Sequence, residues 1–192
     1  MSASRPINVL YAVRVWSYGG SHTIMRILMK HLPEHGFRIV CVPFETRAGG
    51  EEGFVRRIEE DGHKISEARL PWRSRTDLFQ ARRVLADLID RHEIDLLHTH
   101  DPQSNVLFGV GRRRWPCAAV ASAYGWWERP SPRVALYRWV DRNLALPNFE
   151  RVITVSQNMK AKVLKGRCPE DRVRVIHTGL DLSSVRDGAS RW

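Results

Sequence analysis

The feature that most constrains this chain is the alternation of short apolar runs with amphipathic stretches from end to end. Apolar runs lie at Ile7 to Val13, Arg38 to Phe44, Ile94 to Thr99, Cys117 to Ala123, Val152 to Val155 and Val173 to Ile176, with a weaker one at Lys64 to Leu70. The segments between them repeat their apolar residues at spacings of three and four, the period of a half-buried helix. Parallel strands need a crossover connection, and an intervening helix supplies it. The pattern predicts an α/β fold, a Rossmann-like parallel β-sheet with helices on both faces. Its crossovers should be right-handed and its functional loops should lie at the carboxyl ends of the strands.

Individual helices can be assigned an inner side. The first, from Gly20, places Ile24, Ile27, Leu28 and Leu32 on one face, and Gly36 stands where a C-terminal cap belongs. A loop at Ala48-Gly49-Gly50 leads to a helix carrying Phe54, Val55 and Ile58. The helix from about Thr76 to His92 turns Leu78, Val84, Leu85, Leu88 and Ile89 inward. Further helices are expected over Ser104 to Arg113, over Pro132 to Leu146, and from the N-cap Ser156 to near Gly166.

With 192 residues the chain has room for one Rossmann-like unit, not two, and for a substantial core without disulfides or metal. Cys41, Cys117 and Cys168 are far apart and odd in number, which suits reduced structural thiols and a cytoplasmic setting. No apolar run approaches a membrane span, and no secretion signal opens the chain. The net charge of +10 favours polyanions, whether anionic lipid or phosphorylated substrates. The basic clusters Arg56-Arg57, Arg82-Arg83 and Arg112-Arg113-Arg114 are not interleaved with aromatics, which argues against nucleic acid as a partner.

Three places carry residues suited to chemistry. Gly19-Gly20 ends the loop after the first strand and opens a helix, where amides and the helix N-terminus favour negative charge. It is neither a dinucleotide fingerprint nor a P-loop. In Asp95-Leu96-Leu97-His98-Thr99-His100-Asp101, alternation sends His98 and His100 to one face of the sheet, with His100 at the carboxyl end. His98 reads as a hydrogen-bonded interior histidine. His100 and Asp101 either bind a ligand's hydroxyls or cap the next helix, and a metal site lacks a third ligand. Tyr124-Gly125-Trp126-Trp127-Glu128 follows the Cys117 to Ala123 strand, and its tryptophans either stack on a ligand ring or pack on their own domain. The helix from Pro132 mixes Arg133, Arg138 and Arg142 with Val134, Leu136, Tyr137, Trp139 and Val140. That mixture suits either a core helix with a basic edge or a helix that docks on an anionic membrane.

The order of these motifs resembles the N-terminal domain of family 4 glycosyltransferases of the GT-B fold. The resemblance runs from about residue 6 to 182. It rests on Gly19-Gly20, the D-L-L-H-T-H-D run, and Val155-Ser156 followed by a helix. The Pro169-Glu170-Asp171-Arg172-Val173-Arg174-Val175-Ile176 turn and strand and the exit His177-Thr178-Gly179-Leu180-Asp181 complete it. Thr178 stands where the family usually has Asn. Tyr124 stands where it usually has an active-site His, and a phenol cannot take up a proton near neutral pH.

The resemblance implies a single half of a GT-B architecture: residues 1–182 form the acceptor-side domain, and residues 183–192 form a truncated linker or tail. It implies a retaining transferase that needs no cofactor or metal and uses a nucleotide-sugar as co-substrate with a sugar or lipid-linked acceptor. Tyr124 takes the catalytic position, and Gly19, Gly20, His100, Asp101, Gly125 and Trp126 bind acceptor or donor. Gly179 would supply the turn that crosses to a second domain. The donor-binding C-terminal half is not in these 192 residues, so the chain is expected to be inactive alone and to depend on a separate C-terminal half. The alternative is a non-catalytic basic module docking on an anionic membrane, at its inner face, or on a partner subunit.

Overall fold

The computed structural model describes residues 5–14, 19–44, 52–63, 65–71, 77–110, 115–126 and 131–179. Six strands, β1 (Ile7–Val13), β2 (Phe37–Pro43), β3 (Leu96–Thr99), β4 (Ala118–Ala123), β5 (Arg151–Thr154) and β6 (Val173–Val175), form one sheet in the order β2-β1-β3-β4-β5-β6. Every pairing is parallel. Six helices alternate with them: α1 (Gly20–His31), α2 (Glu52–Glu60), α3 (Asp77–Arg91), α4 (Pro102–Gly109), α5 (Pro132–Val140) and α6 (Gln157–Leu164). The order runs outward from β1 on one side and resumes at β3 on the other. The crevice of such a sheet therefore opens at the carboxyl ends of β1 and β3.

Two apolar clusters cover the two faces, as the near-continuous apolar strands require. One gathers Val9, Tyr11, Val13 and Cys41 under Met25, Met29, Phe54 and Ile58 of α1 and α2. The other packs Leu10, Ala12, Leu97, Ala119, Ala121 and Val152 against Leu85, Leu88, Leu107, Phe108, Met159 and Val163 from α3, α4 and α6. All three cysteines are free and buried. Gly36 has φ +81 and closes the turn after α1, the left-handed cap that its position predicts.

Three expectations need correction. The stretch Lys64 to Leu70 is not a strand: it touches the sheet edge through isolated parallel bridges, Cys41 to Ile65 and Phe44 to Leu70. Lys64 itself lies outside the described residues. The buried row of α1 is His22, Met25 and Met29, with Leu28 and Leu32 beside it, while Ile24 and Ile27 are only half-buried. His22 bonds back to Gly19 and Arg14, and the unbranched Met25 and Met29 join Tyr11 in one apolar cluster, which turns this row of the helix inward. The helix from Ser104 begins earlier, at Pro102, and ends at Gly109. Its expected last turn reaches Arg112 and Arg113, which lie outside the described residues, as do Ala48 to Gly50.

Candidate functional site

Alternation places Tyr11, His98, His100, Ser122 and Tyr124 on one face, where β1, β3 and β4 run side by side. His98 Nε2 lies 2.8 Å from Ser122 Oγ and is buried, so it is the interior histidine expected of it. The Tyr124 hydroxyl lies 2.8 Å from His100 Nδ1, and the two rings stack with centroids 6.0 Å apart. Tyr11 packs edge-on against both imidazoles. His100 is 3% exposed, and its Nε2 and the Tyr11 hydroxyl are buried with no hydrogen-bond partner among the described residues.

Burial holds these groups neutral. It pulls His98 down to about 4 and His100 well below the usual imidazole range, the latter helped by the neighbouring His98 and His22. It pushes the Tyr124 phenol up to about 12. The cluster can therefore donate and accept hydrogen bonds at neutral pH as uncharged groups.

Beside it stands the loop that enters α1. The Gly19 N–H donates to His22 Nδ1 at 3.1 Å, and His22 Nε2, which then carries the proton, faces the Arg14 carbonyl at 3.4 Å. His22 occupies the third helical position, where Glu or Gln makes the reciprocal bond of a capping box. That position was the signal by which sequence reasoning could have found it. Gly19 has an extended backbone, and a Cβ on Gly19 or Gly20 would meet nothing within 4 Å. Neither turn geometry nor packing among the described residues demands glycine here, so what the two glycines leave clear is the space in front of the loop.

Asp101 links the two parts. Its Oδ1 accepts from the Ser104 N–H at 2.9 Å, and its Oδ2 accepts from the Arg14 N–H at 3.0 Å and the Ser104 hydroxyl at 3.0 Å. Of the two roles open to it, capping α4 is the one its bonds display. Gly125 is exposed at the rim. Trp126 is half-buried against the core, and its indole N–H donates to Asp141 Oδ2 at 3.1 Å, so it packs on its own domain. Trp127 and Glu128 lie outside the described residues. Asp141, buried in the turn that follows α5, was missed because one acid in Val140-Asp141-Arg142-Asn143 reads as a solvated helix position. Ser156 caps α6 through the Met159 N–H. Gly179 lacks a left-handed φ, and the turn expected to follow it runs into Leu180 and Asp181, which lie outside the described residues. Among the described residues no group of three or more His, Cys, Asp or Glu could hold a metal ion.

Comparison with solved structures gives the architecture. The chain superposes on Anabaena Alr3699/HepE in complex with UDP-glucose with a TM-score of 0.71 at 16% identity, covering 96% of this chain and 50% of that one. It superposes on a glycosyltransferase from Rickettsia africae ESF-5 with a TM-score of 0.68 at 14% identity, covering 98% and 50%. It also matches UDP-N-acetylglucosamine 2-epimerase from Rickettsia bellii at 0.67 and 8% identity, covering 97% and 48%. The chain thus spans about half the length of each. At such identities the likeness shows the fold, a Rossmann-like half of a GT-B architecture, and leaves the chemistry to the site. No curated protein sequence matches the chain significantly. The family model for Glycosyltransferase Family 4 matches residues 18–184, a span that holds the glycine loop, the histidine pair and Tyr124. The chain belongs to Glycosyltransferase Family 4.

Proposed function

We propose that this domain is the acceptor-side half of a retaining glycosyltransferase, which moves a sugar from a nucleotide-sugar to a sugar or lipid-linked acceptor without metal or cofactor. The observation that carries the reading is the His100–Tyr124 pair, 2.8 Å apart, at the carboxyl end of the sheet beside the open Gly19–Gly20 loop. Neutral donors and acceptors together with flat ring faces suit a sugar, which offers hydroxyls and a weakly apolar ring face. The loop and the N-terminus of α1 suit the negative charge of a departing nucleotide. UDP-glucose is bound in the Anabaena structure, which supports a nucleotide-sugar as the donor class. Three buried free thiols support a cytoplasmic setting.

In this reading Tyr124 orients a sugar hydroxyl as a neutral hydrogen-bonding group, and His100 holds the phenol in place. Gly19, Gly20 and Gly125 leave room for substrate, Trp126 borders the mouth, and Asp101 fixes the floor. Developing positive charge on the sugar and negative charge on the leaving phosphate need further stabilising groups, which a donor-binding half would contribute. The 192-residue chain alone is therefore expected to show no turnover. The test is nucleotide release from a panel of nucleotide-sugars. Release by the 192-residue chain above that of a Gly19→Glu variant would contradict the need for a second half.

One observation favours a second reading, a binding module for anionic membrane. None of the nine residues of α5 is buried; Leu136 is 65% and Trp139 46% exposed, with Arg133 exposed on the same helix. An apolar strip flanked by arginines, on a chain of charge +10, complements an anionic lipid surface. No helix among the described residues is long and apolar enough to cross a membrane. Salt-sensitive co-sedimentation with phosphatidylserine vesicles, lost in Leu136→Glu/Trp139→Glu, is the expected result. No binding at low salt would exclude this reading.

A further inference from the structure

Helix α5 does not end as an α-helix. It opens into a π turn over Asp141–Ala145, an element that is rare and is kept where surrounding structure holds it. Two glycines lie against this turn. A Cβ on Gly109, the last residue of α4, would stand 2.6 Å from the Ala145 carbonyl oxygen and 2.8 Å from its Cα. A Cβ on Gly166, just past α6, would stand 2.8 Å from the Arg142 carbonyl oxygen and 2.5 Å from its Cγ. Backbone atoms cannot swing aside as a side-chain tip can. Both neighbours approach the π turn this closely only because neither carries a side chain, and the turn is gripped from two sides.

The grip sets the position of Asp141, which is 1% exposed. Its Oδ1 accepts from Asn105 Nδ2 at 3.0 Å, and its Oδ2 accepts from Trp126 Nε1 at 3.1 Å. Asn105 Oδ1 in turn accepts from the Thr99 hydroxyl at 2.5 Å. A path of side-chain hydrogen bonds therefore runs from the last residue of β3, through α4 and the π turn, to the segment directly after Tyr124.

We propose that Asp141 is the positioning residue of the Tyr124-Gly125-Trp126 segment: the π turn, seated by Gly109 and Gly166, holds a buried carboxyl that pins the Trp126 indole and fixes this rim against β3 and His100. The role in sugar transfer rests on the function proposed above; the pinning itself does not. Burial pushes the Asp141 carboxyl up to about 7, its two donors pull it down, and Asp101 at the head of α4 pushes it up again. Tyr137, one turn earlier on α5, is the other titratable group that senses Asp141, and burial holds its phenol neutral; Arg14 acts on Tyr137 and Asp101. Losing the charge on Asp141 weakens its hold on the indole, since a hydrogen bond to an ionised acceptor is roughly twice as strong.

The test is nuclear magnetic resonance of the chain labelled with ¹⁵N-tryptophan, with the Trp126 indole signal identified by its loss in Trp126→Phe. The expected result is an indole proton that exchanges more slowly than that of the exposed Trp139 and a shift that titrates with a midpoint near 7. Asp141→Asn should abolish that titration. Gly109→Ala, which displaces the π turn, should move the same signal. An indole proton exchanging as fast as Trp139's overturns the proposal on the wild-type chain alone, whether or not Asp141→Asn folds. An indole that behaves as described in a native protein that releases no nucleotide from nucleotide-sugars removes the proposed function and leaves the pinning intact.

Discussion

The Tyr124 hydroxyl and His100 Nδ1 lie 2.8 Å apart across the ends of two neighbouring parallel strands. Because burial raises the phenol and lowers the imidazole, the pair is a fixed hydrogen bond between neutral groups at neutral pH. Replacing Tyr124 by Phe leaves His100 Nδ1 buried without its partner, at a cost of about 1–3 kcal/mol. Urea unfolding of Tyr124→Phe at pH 7 should show that loss. A midpoint equal to wild type would mean the bond contributes nothing to the folded chain.

Acid should weaken the fold in a definite window. His98 stays neutral in the folded chain down to about pH 4, whereas an unfolded imidazole protonates near 6.5. Between those values the unfolded chain binds more protons, so stability is full above pH 6.5 and falls as pH drops towards 4. The contribution of His98 over that span is on the order of 3 kcal/mol. His100 and His22 act in the same direction. Asp141 and Asp101 oppose them: their folded carboxyls are raised, so their contribution is full below the unfolded carboxylate range and is lost as pH rises, for Asp141 through about 7. Unfolding measured at pH 7 and pH 5 should show His98→Gln with a smaller difference between the two than wild type. An unchanged difference would contradict the assignment of His98 as a buried neutral group.

The glycines divide into two kinds, and substitution separates them. Gly109→Ala drives a methyl into the Ala145 backbone and should cost about 1–3 kcal/mol, as overpacking does. Gly19→Ala meets open space and should change stability by no more than about 0.5 kcal/mol. Thermal melts of the two variants side by side are the measurement. Equal losses would show that the space before the Gly19 loop is not open.

The sheet was legible because each strand is a short apolar run and helices such as α3 keep their three-and-four spacing. Val152 and Val173 fall where that pattern puts them. The Lys64 to Leu70 stretch misled because an edge segment with two bridges carries the same apolar residues as a strand, and only hydrogen bonding distinguishes them. In the site, His98, His100 and Tyr124 could be placed by alternation alone, since two strands in register bring i and i+2 residues to one face. Alternation does not reach His22, which only its place in a capping box signals, or Asp141. Each works through a bond to backbone or to a distant element, His22 to Gly19 and Arg14, Asp141 to Asn105 and Trp126, and neither periodicity nor composition reports such a bond. Asp101 was read with two roles, and its bonds to Arg14 and Ser104 display the capping one.

The central claim is that the Gly19 loop, His100 and Tyr124 face a sugar-transfer site. The most direct test is nucleotide release from nucleotide-sugars by the native protein purified from its source cells, wild type against Gly19→Glu. The account predicts release by wild type and a loss of about 100-fold in the variant, with an unchanged melting temperature. Equal release by both proteins would contradict it.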